Sequence, residues 1–173
     1  YVVGTPGAGE HTMVLLDKMT GKTQWSCAVG KLGPRGRIGA GFSSPVATTI
    51  DGVRIYIQFI GYGVIGVRAR DGKLMWGYNR IAIPQANIPT PVVVGKQVFA
   101  SNGYNCGSAL LSLFGDGKGG VRFKEEYHLR GREFQNHHGG FVHVDGHIYG
   151  GHGSNNGLPT CIELETGDVL WKR

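Results

Sequence analysis

The sequence predicts an all-β fold of repeated four-stranded units, the pattern of a β-propeller, and three observations carry that prediction. All three tryptophans stand four residues after a glycine in one recurring phrase: Thr20-Gly21-Lys22-Thr23-Gln24-Trp25, Asp71-Gly72-Lys73-Leu74-Met75-Trp76 and Thr166-Gly167-Asp168-Val169-Leu170-Trp171. Glycine supplies 31 of 173 residues, while Ala, Leu and Glu never gather into a stripe of helical period. Short apolar-rich runs alternate with Asp-Gly pairs, which accept the positive φ that a tight hairpin demands.

Spacing sets the size of the unit. Trp25 and Trp76 are 51 residues apart, a further 51 lands on Tyr127, and Trp171 follows 44 later. Periods of roughly forty to fifty residues with four strands each are the signature of propeller blades. The third unit is degenerate, with Tyr127 in the tryptophan slot and Asp116-Gly117-Lys118-Gly119-Gly120 as an enlarged turn.

In chain order, the first unit (1–30) is incomplete. Residues 1–4, 12–17 and 22–27 match second, third and fourth strands, and the innermost strand is missing. The second unit (44–80) reads as strands at 45–50, 54–60, 64–70 and 73–78, with turns at Asp51-Gly52 and Asp71-Gly72. The third (90–128) reads as strands at 90–94, 97–101, 109–113 and 121–127, and Gly95-Lys96 turns the first pair. The fourth (139–173) has strands at 140–144, 147–151, 160–165 and 168–172, with a turn at Asp145-Gly146. Residues 1–173 thus form one propeller segment of about four blades. Such an arc has open edges. It is a segment of a longer seven- or eight-bladed ring, half of a ring completed by a second copy, or a small closed propeller; the segment is favoured.

Composition narrows the function classes. The net charge is +6 and the pI near 9.4, but no basic stripe interleaved with aromatics is present, so a nucleic-acid partner is not expected. No apolar run approaches the ~18 residues of a membrane helix. Cys27, Cys106 and Cys161 are odd in number and widely spaced, forming neither a CxxC metal pair nor a disulfide framework.

The repeat resembles that of the PQQ-like β-propellers, whose eleven-residue docking motif is commonly A-x-D-x-x-T-G-K-x-x-W. The first copy keeps Asp17, Gly21 and Trp25; the second keeps Gly72 and Trp76 but has Gly66 and Arg68 in the alanine and aspartate slots. The fourth keeps Gly167 and Trp171, with Cys161 and Glu163 in those slots. These glycines and tryptophans are expected to dock one blade on the next, because a flat indole buries about 150–250 Å² and glycine leaves the surface bare.

The resemblance implies two functional readings. Members without cofactor use the ring for protein assembly, which makes a ligand- or protein-binding scaffold, periplasmic or secreted, the leading one. The alternative is a quinoprotein alcohol or sugar dehydrogenase of which this is part of the propeller. In those enzymes pyrroloquinoline quinone (PQQ) lies at the axis with a calcium ion held by carboxylate and amide side chains, often under a vicinal disulfide. This chain has no Cys-Cys pair, no CxxCH and no acid in its axial clusters, so no cofactor and no catalytic residue are assigned. No G-x-S-x-G elbow supports a hydrolase.

Propeller topology puts the short stereotyped turns on one face and the long irregular loops on the other, where binding residues are usually carried. The loop face holds Lys31, Arg35, Arg37, Arg80, Arg130 and Arg132 against Glu10 and Glu133, six cations to two acids and so a net +4. Arg-Gly-Arg occurs twice, at 35–37 and 130–132. A protein partner or a small anionic ligand is expected there. The candidate ligand-binding residues are Asn136, His137, His138, Arg132, Tyr104, Asn87 and Ser44. The paired histidines are weak metal candidates, because neighbours on a strand point to opposite sides.

Overall fold

The computed structural model describes residues 1–173. Its chain forms fifteen strands and no helix, so none is long and apolar enough to cross a membrane. β1 (Val2–Gly4), β2 (Met13–Leu16) and β3 (Thr23–Cys27) make a three-stranded sheet. Three four-stranded sheets follow. The second blade is β4 (Val46–Ile50), β5 (Val53–Ile60), β6 (Gly63–Arg68) and β7 (Leu74–Tyr78). The third is β8 (Val92–Val94), β9 (Gln97–Asn102), β10 (Gly107–Gly115) and β11 (Val121–Leu129). The fourth is β12 (Phe141–Val144), β13 (His147–His152), β14 (Leu158–Glu163) and β15 (Val169–Lys172). Each is an antiparallel meander in sequence order, and the first lacks the strand equivalent to β4.

The hairpins follow from their turn residues. Asp51 and Gly52 both have positive φ (46° and 80°), as do Asp145 and Gly146 (45° and 78°), the twist that matches two antiparallel strands. The third blade departs from the expected bounds. Its outer hairpin runs over β10 and β11, nine residues each, instead of stopping at 113 and 127. The enlarged turn permits this, because Asp116 Oδ1 accepts the backbone N–H of Lys118 and of Gly120, each at 2.8 Å, and closes a wider loop.

One irregularity recurs in every blade. The pairing of third and fourth strands slips between Leu15/Leu16, Gly66/Val67, Leu110/Leu111 and Cys161/Ile162. In each blade the residue before the slip pairs with the aromatic of the repeat: Trp25, Trp76, Tyr127 or Trp171. A bulge there sharpens the twist and re-aims the ring toward the neighbouring blade.

That ring ends a cross-strand row. Val46, Ile57, Gly66 and Trp76 form it in the second blade, and Val92, Phe99, Leu110 and Tyr127 in the third. The core consists of such rows packed on the next sheet. Ile57 and Trp76 meet Val98, Ala100 and Leu111, while Phe99 and Leu110 meet Phe141, Ile148 and Ile162. Removing a ring such as Phe99, wholly buried, would cost about 3–5 kcal/mol. The fourth blade's row, Val142, Tyr149, Cys161 and Trp171, faces no further sheet, and Trp171 is 40% exposed where Trp76 is 6%.

The contacts of the rings differ in an instructive way. Trp25 Nε1 donates to Ala69 O at 2.9 Å, and its six-membered ring covers Gly72, where a Cβ would lie 2.6 Å from it. Tyr127 repeats this one junction on: its hydroxyl donates to Leu164 O at 2.8 Å and its ring lies over Gly167. Trp76 cannot, because the third blade's enlarged turn has replaced the glycine shelf. Its buried Nε1 has no partner, and it packs on Phe123 with ring centroids 5.5 Å apart. Arg68, in the motif's aspartate slot, bridges that junction instead. It donates to both oxygens of Asp71 (2.8 and 2.6 Å) and from Nη1 to Gly119 O (2.6 Å). Gly21 has φ of 72° but no neighbour above it.

Candidate functional site

The loops opposite the tight turns are built around one strained hairpin. Gly103 to Cys106 joins β9 to β10, with Cys106 N–H donating to Gly103 O at 3.1 Å. Both central residues are left-handed, Tyr104 at φ 53° and Asn105 at φ 64°. Asn tolerates this conformation, whereas a bulky Tyr pays a penalty on the order of 1–3 kcal/mol. Neighbouring loops hold the turn in place. Ser154 Oγ accepts from Tyr104 N (3.1 Å) and Gln135 Oε1 from Asn105 N (2.7 Å). Tyr104 remains 53% exposed, and its ring meets His137 of one pocket while its neighbour Asn105 lines another.

The first is a polar, glycine-floored pocket of about 420 Å³, lined by residues of the 136–139 and 151–157 segments. His137 is buried, donates from Nδ1 to Ser154 O (3.2 Å), and meets the edge of Tyr104 with centroids 4.7 Å apart. His138 lies against it at a tilt of 54°, centroids 3.9 Å apart, and is exposed. This corrects the expectation that the two rings point apart. They lie in a bend before β12 rather than in a strand, so strand alternation does not apply. No group of three or more His, Cys, Asp or Glu side chains converges anywhere in the chain.

The second is a basic pocket, also of about 420 Å³, lined by Arg35, Arg80, Arg130 and Arg132 with Asn105, Cys106, His128 and Gly131. Backbone contacts place three of the four arginines. Asn79 clasps Arg35, accepting its N–H at Oδ1 (3.0 Å) and donating to its carbonyl (2.9 Å). Gly131 lies so close to Asn105 that a Cβ would fall 2.5 Å from its Cα. The first Arg-Gly-Arg uses its glycine the same way, for a Cβ on Gly36 would lie 2.2 Å from Gly61 O. In both motifs the glycine lets backbone meet backbone, and the flanking arginines project outward.

The acids nearby are already engaged. Glu125 takes Arg80 (2.5 Å) and the Tyr78 hydroxyl (2.6 Å), and Glu133 caps the backbone N–H of Arg130 (2.5 Å). The guanidiniums of Arg35, Arg130 and Arg132 make neither an ion pair nor a hydrogen bond within the chain. His128 donates from Nε2 to Cys106 O (3.1 Å), and burial, aided by the Arg80 charge, holds its pKa below the ordinary imidazole value. Burial pushes the Cys106 thiol up, with Arg35 opposing.

The remaining predicted residues sort into scaffold and rim. Asn87 is buried and saturated: Nδ2 donates to the carbonyls of Ile60, Gly61 and Ile83, and Oδ1 accepts from Ile83 N and Asn102 Nδ2. Asn136 is likewise buried, donating to Gly140 O and Gly151 O and accepting from Gly140 N. Both donors of each amide are spent on backbone carbonyls, which makes these residues part of the scaffold, although Asn136 also lines the glycine-floored pocket. Ser44 is exposed away from both pockets, its N–H bonded to Thr90 Oγ1 at 2.9 Å. Arg132 sits in the basic pocket; Tyr104, His137 and His138 come together beside it. Sequence reasoning placed Arg35, Arg80 and Arg130 on the basic face expected to meet an anionic ligand or partner, but named only Arg132 as a binding residue, although the doubled Arg-Gly-Arg was the signal for two of the others.

Calcium asks for six to eight oxygen ligands, carboxylates among them. The loop-face pockets are lined by Arg, His, Asn, Gln, Ser, Gly and apolar residues with no Asp or Glu, so the donor set of this chain does not fit a calcium–quinone pair.

Sheets of four antiparallel strands, locked through an aromatic ring from one sheet to the next, define a β-propeller of the PQQ-like repeat class. A family model described as outer membrane protein assembly factor BamB matches residues 1–173, and the chain belongs to that family. Among solved structures, it is similar to the crystal structure of BamB from Moraxella catarrhalis, with a TM-score of 0.62 and 17% identity. The match covers 93% of this chain and 45% of that one, so this chain spans less than half the length of that structure. No curated protein sequence matches.

Proposed function

We propose that this chain is part of a protein-binding scaffold propeller, working in the periplasm or outside the cell, and that the long-loop face is where its partner docks. One observation carries the reading. Phe42, 71% exposed, stands with exposed Ile38 and Tyr104 on the face that presents Arg35, Arg37, Arg80, Arg130 and Arg132. Aromatic and arginine side chains are the residues that protein interfaces concentrate at their energetic centres. The tight-turn face carries internal staples such as Asp51–Lys96 (2.5 Å) and Arg68–Asp71. The assembly-factor description of the family points the same way.

The exposed row ending in Trp171 supports a ring that continues, with a further blade covering Val142 and Tyr149. A quinoprotein dehydrogenase is the competing reading, and it is separable. The full-length protein titrated with PQQ and Ca²⁺ is expected to show no bound-quinone absorbance, no thermal shift and no dye-linked alcohol oxidation. A saturable shift with turnover would overturn the scaffold reading.

A further inference from the structure

We propose that the four-arginine pocket between the second and third blades is a receptor for carboxylates, taking an acidic peptide segment of a protein partner. The inference rests on the scaffold reading and adds the chemistry of recognition to it. Arg35 comes from the loop between the first and second blades, Arg80 from the next loop, and Arg130 and Arg132 from the loop after that. Three blade junctions therefore deliver like charges to one place, and two nearby acids offset four cations. Like charges held together repel, and an incoming anion relieves that repulsion.

The construction is specific. The backbones beneath Arg35 and Arg130–Arg132 are fixed by the Asn79 clasp and by the glycine contact at Asn105, so binding has to order the side chains but not the loops that carry them. Their planar forks suit carboxylate oxygens in bidentate geometry.

Three features select peptide carboxylates over other anions. Small-molecule sites are mostly apolar, and this pocket has Cys106 as its only apolar lining residue. Single-stranded nucleic acid needs a basic track with stacking aromatics, and no aromatic ring other than the His128 imidazole lines this pocket. A membrane surface engages charge spread across a broad face, whereas four of the five arginines of this face converge on one pocket of about 420 Å³. Tyr104 adjoins the lining residue Asn105, where it can pack on the peptide's flanking residues.

The test uses the full-length protein and a fluorescein-labelled decapeptide of alternating Asp, Glu and Gly. Binding is followed by anisotropy at two salt concentrations, with a neutral Asn/Gln/Gly peptide for comparison. The acidic peptide is expected to bind more tightly than the neutral one and to weaken as salt rises. Arg130→Gln/Arg132→Gln is expected to weaken it by about tenfold, and Arg35→Gln to weaken it further. Lys22→Gln/Lys118→Gln removes equal charge from the tight-turn face and is expected to change affinity less than twofold. The proposal is overturned if the neutral peptide binds as well, if the lysine pair costs as much as the arginine pair, or if the peptide does not bind. It is equally overturned if inorganic phosphate, a phosphatidylglycerol vesicle or a single-stranded oligonucleotide binds more tightly through the same arginines. A failure here with no response to PQQ and Ca²⁺ removes the carboxylate receptor alone; the quinone titration decides the scaffold reading separately.

Discussion

At the scale of single residues, close approach explains more of this protein than charge does. Arg-Gly-Arg reads as a basic motif, yet its glycine is the constrained position. At Gly131 an added methyl group would meet Asn105 Oδ1 at 2.3 Å, with backbone immediately behind it. Gly131→Ala is expected to destabilise the fold by about 1–3 kcal/mol in denaturant titration. Gly139→Ala, with nothing nearer than 4.0 Å, should change the midpoint little. Equal effects would mean that the loop adjusts freely and that the arginines are not preorganised. The same scale shows where sequence reasoning stopped. Asn87, Asn136 and His137 all sit before an inner strand and look alike as polar residues in loops. Two are amides spent on backbone carbonyls, and only the third has an aromatic partner facing a pocket. Partners lying 15 to 33 residues away decide the difference, and no local pattern reports them.

At the scale of elements, the repeat was legible because turn chemistry and ring placement recur at fixed offsets. The junction between the second and third blades was not, because there the motif fails on both sides. Arg68 replaces an aspartate, the facing turn is enlarged, and the two changes compensate through the Arg68–Gly119 bond. Asp71 registers that arrangement. Hydrogen bonding to Arg68 lowers its pKa from the ordinary 3.8 to about 2. A carboxylate with a depressed folded pKa stabilises fully above its unfolded value and loses that contribution as pH falls through the folded one. The melting-temperature gap between wild type and Asp71→Asn is therefore expected to be constant above about pH 4 and to close as pH approaches 2. The carboxylate is 41% exposed, so the gap itself should be small and salt-sensitive. A gap unchanged down to pH 2 would show that the pair is not formed in solution.

At the scale of the molecule, the ring divides its labour between faces. Blade junctions use their aromatics and several charges on one another, whereas the long-loop face sets unpaired arginines beside exposed aromatic rings. Exposed Phe42 and Tyr104 beside unpaired arginines are the physical content of the claim that this face docks a protein. Site-directed photo-crosslinking tests it most directly. A benzophenone amino acid placed at Phe42, at Tyr104 and, on the opposite face, at Lys118 reports which surface lies against another polypeptide in the cell. Discrete protein adducts from positions 42 and 104, and none from 118, are the result expected. Adducts confined to position 118, or none from any position, would contradict the account.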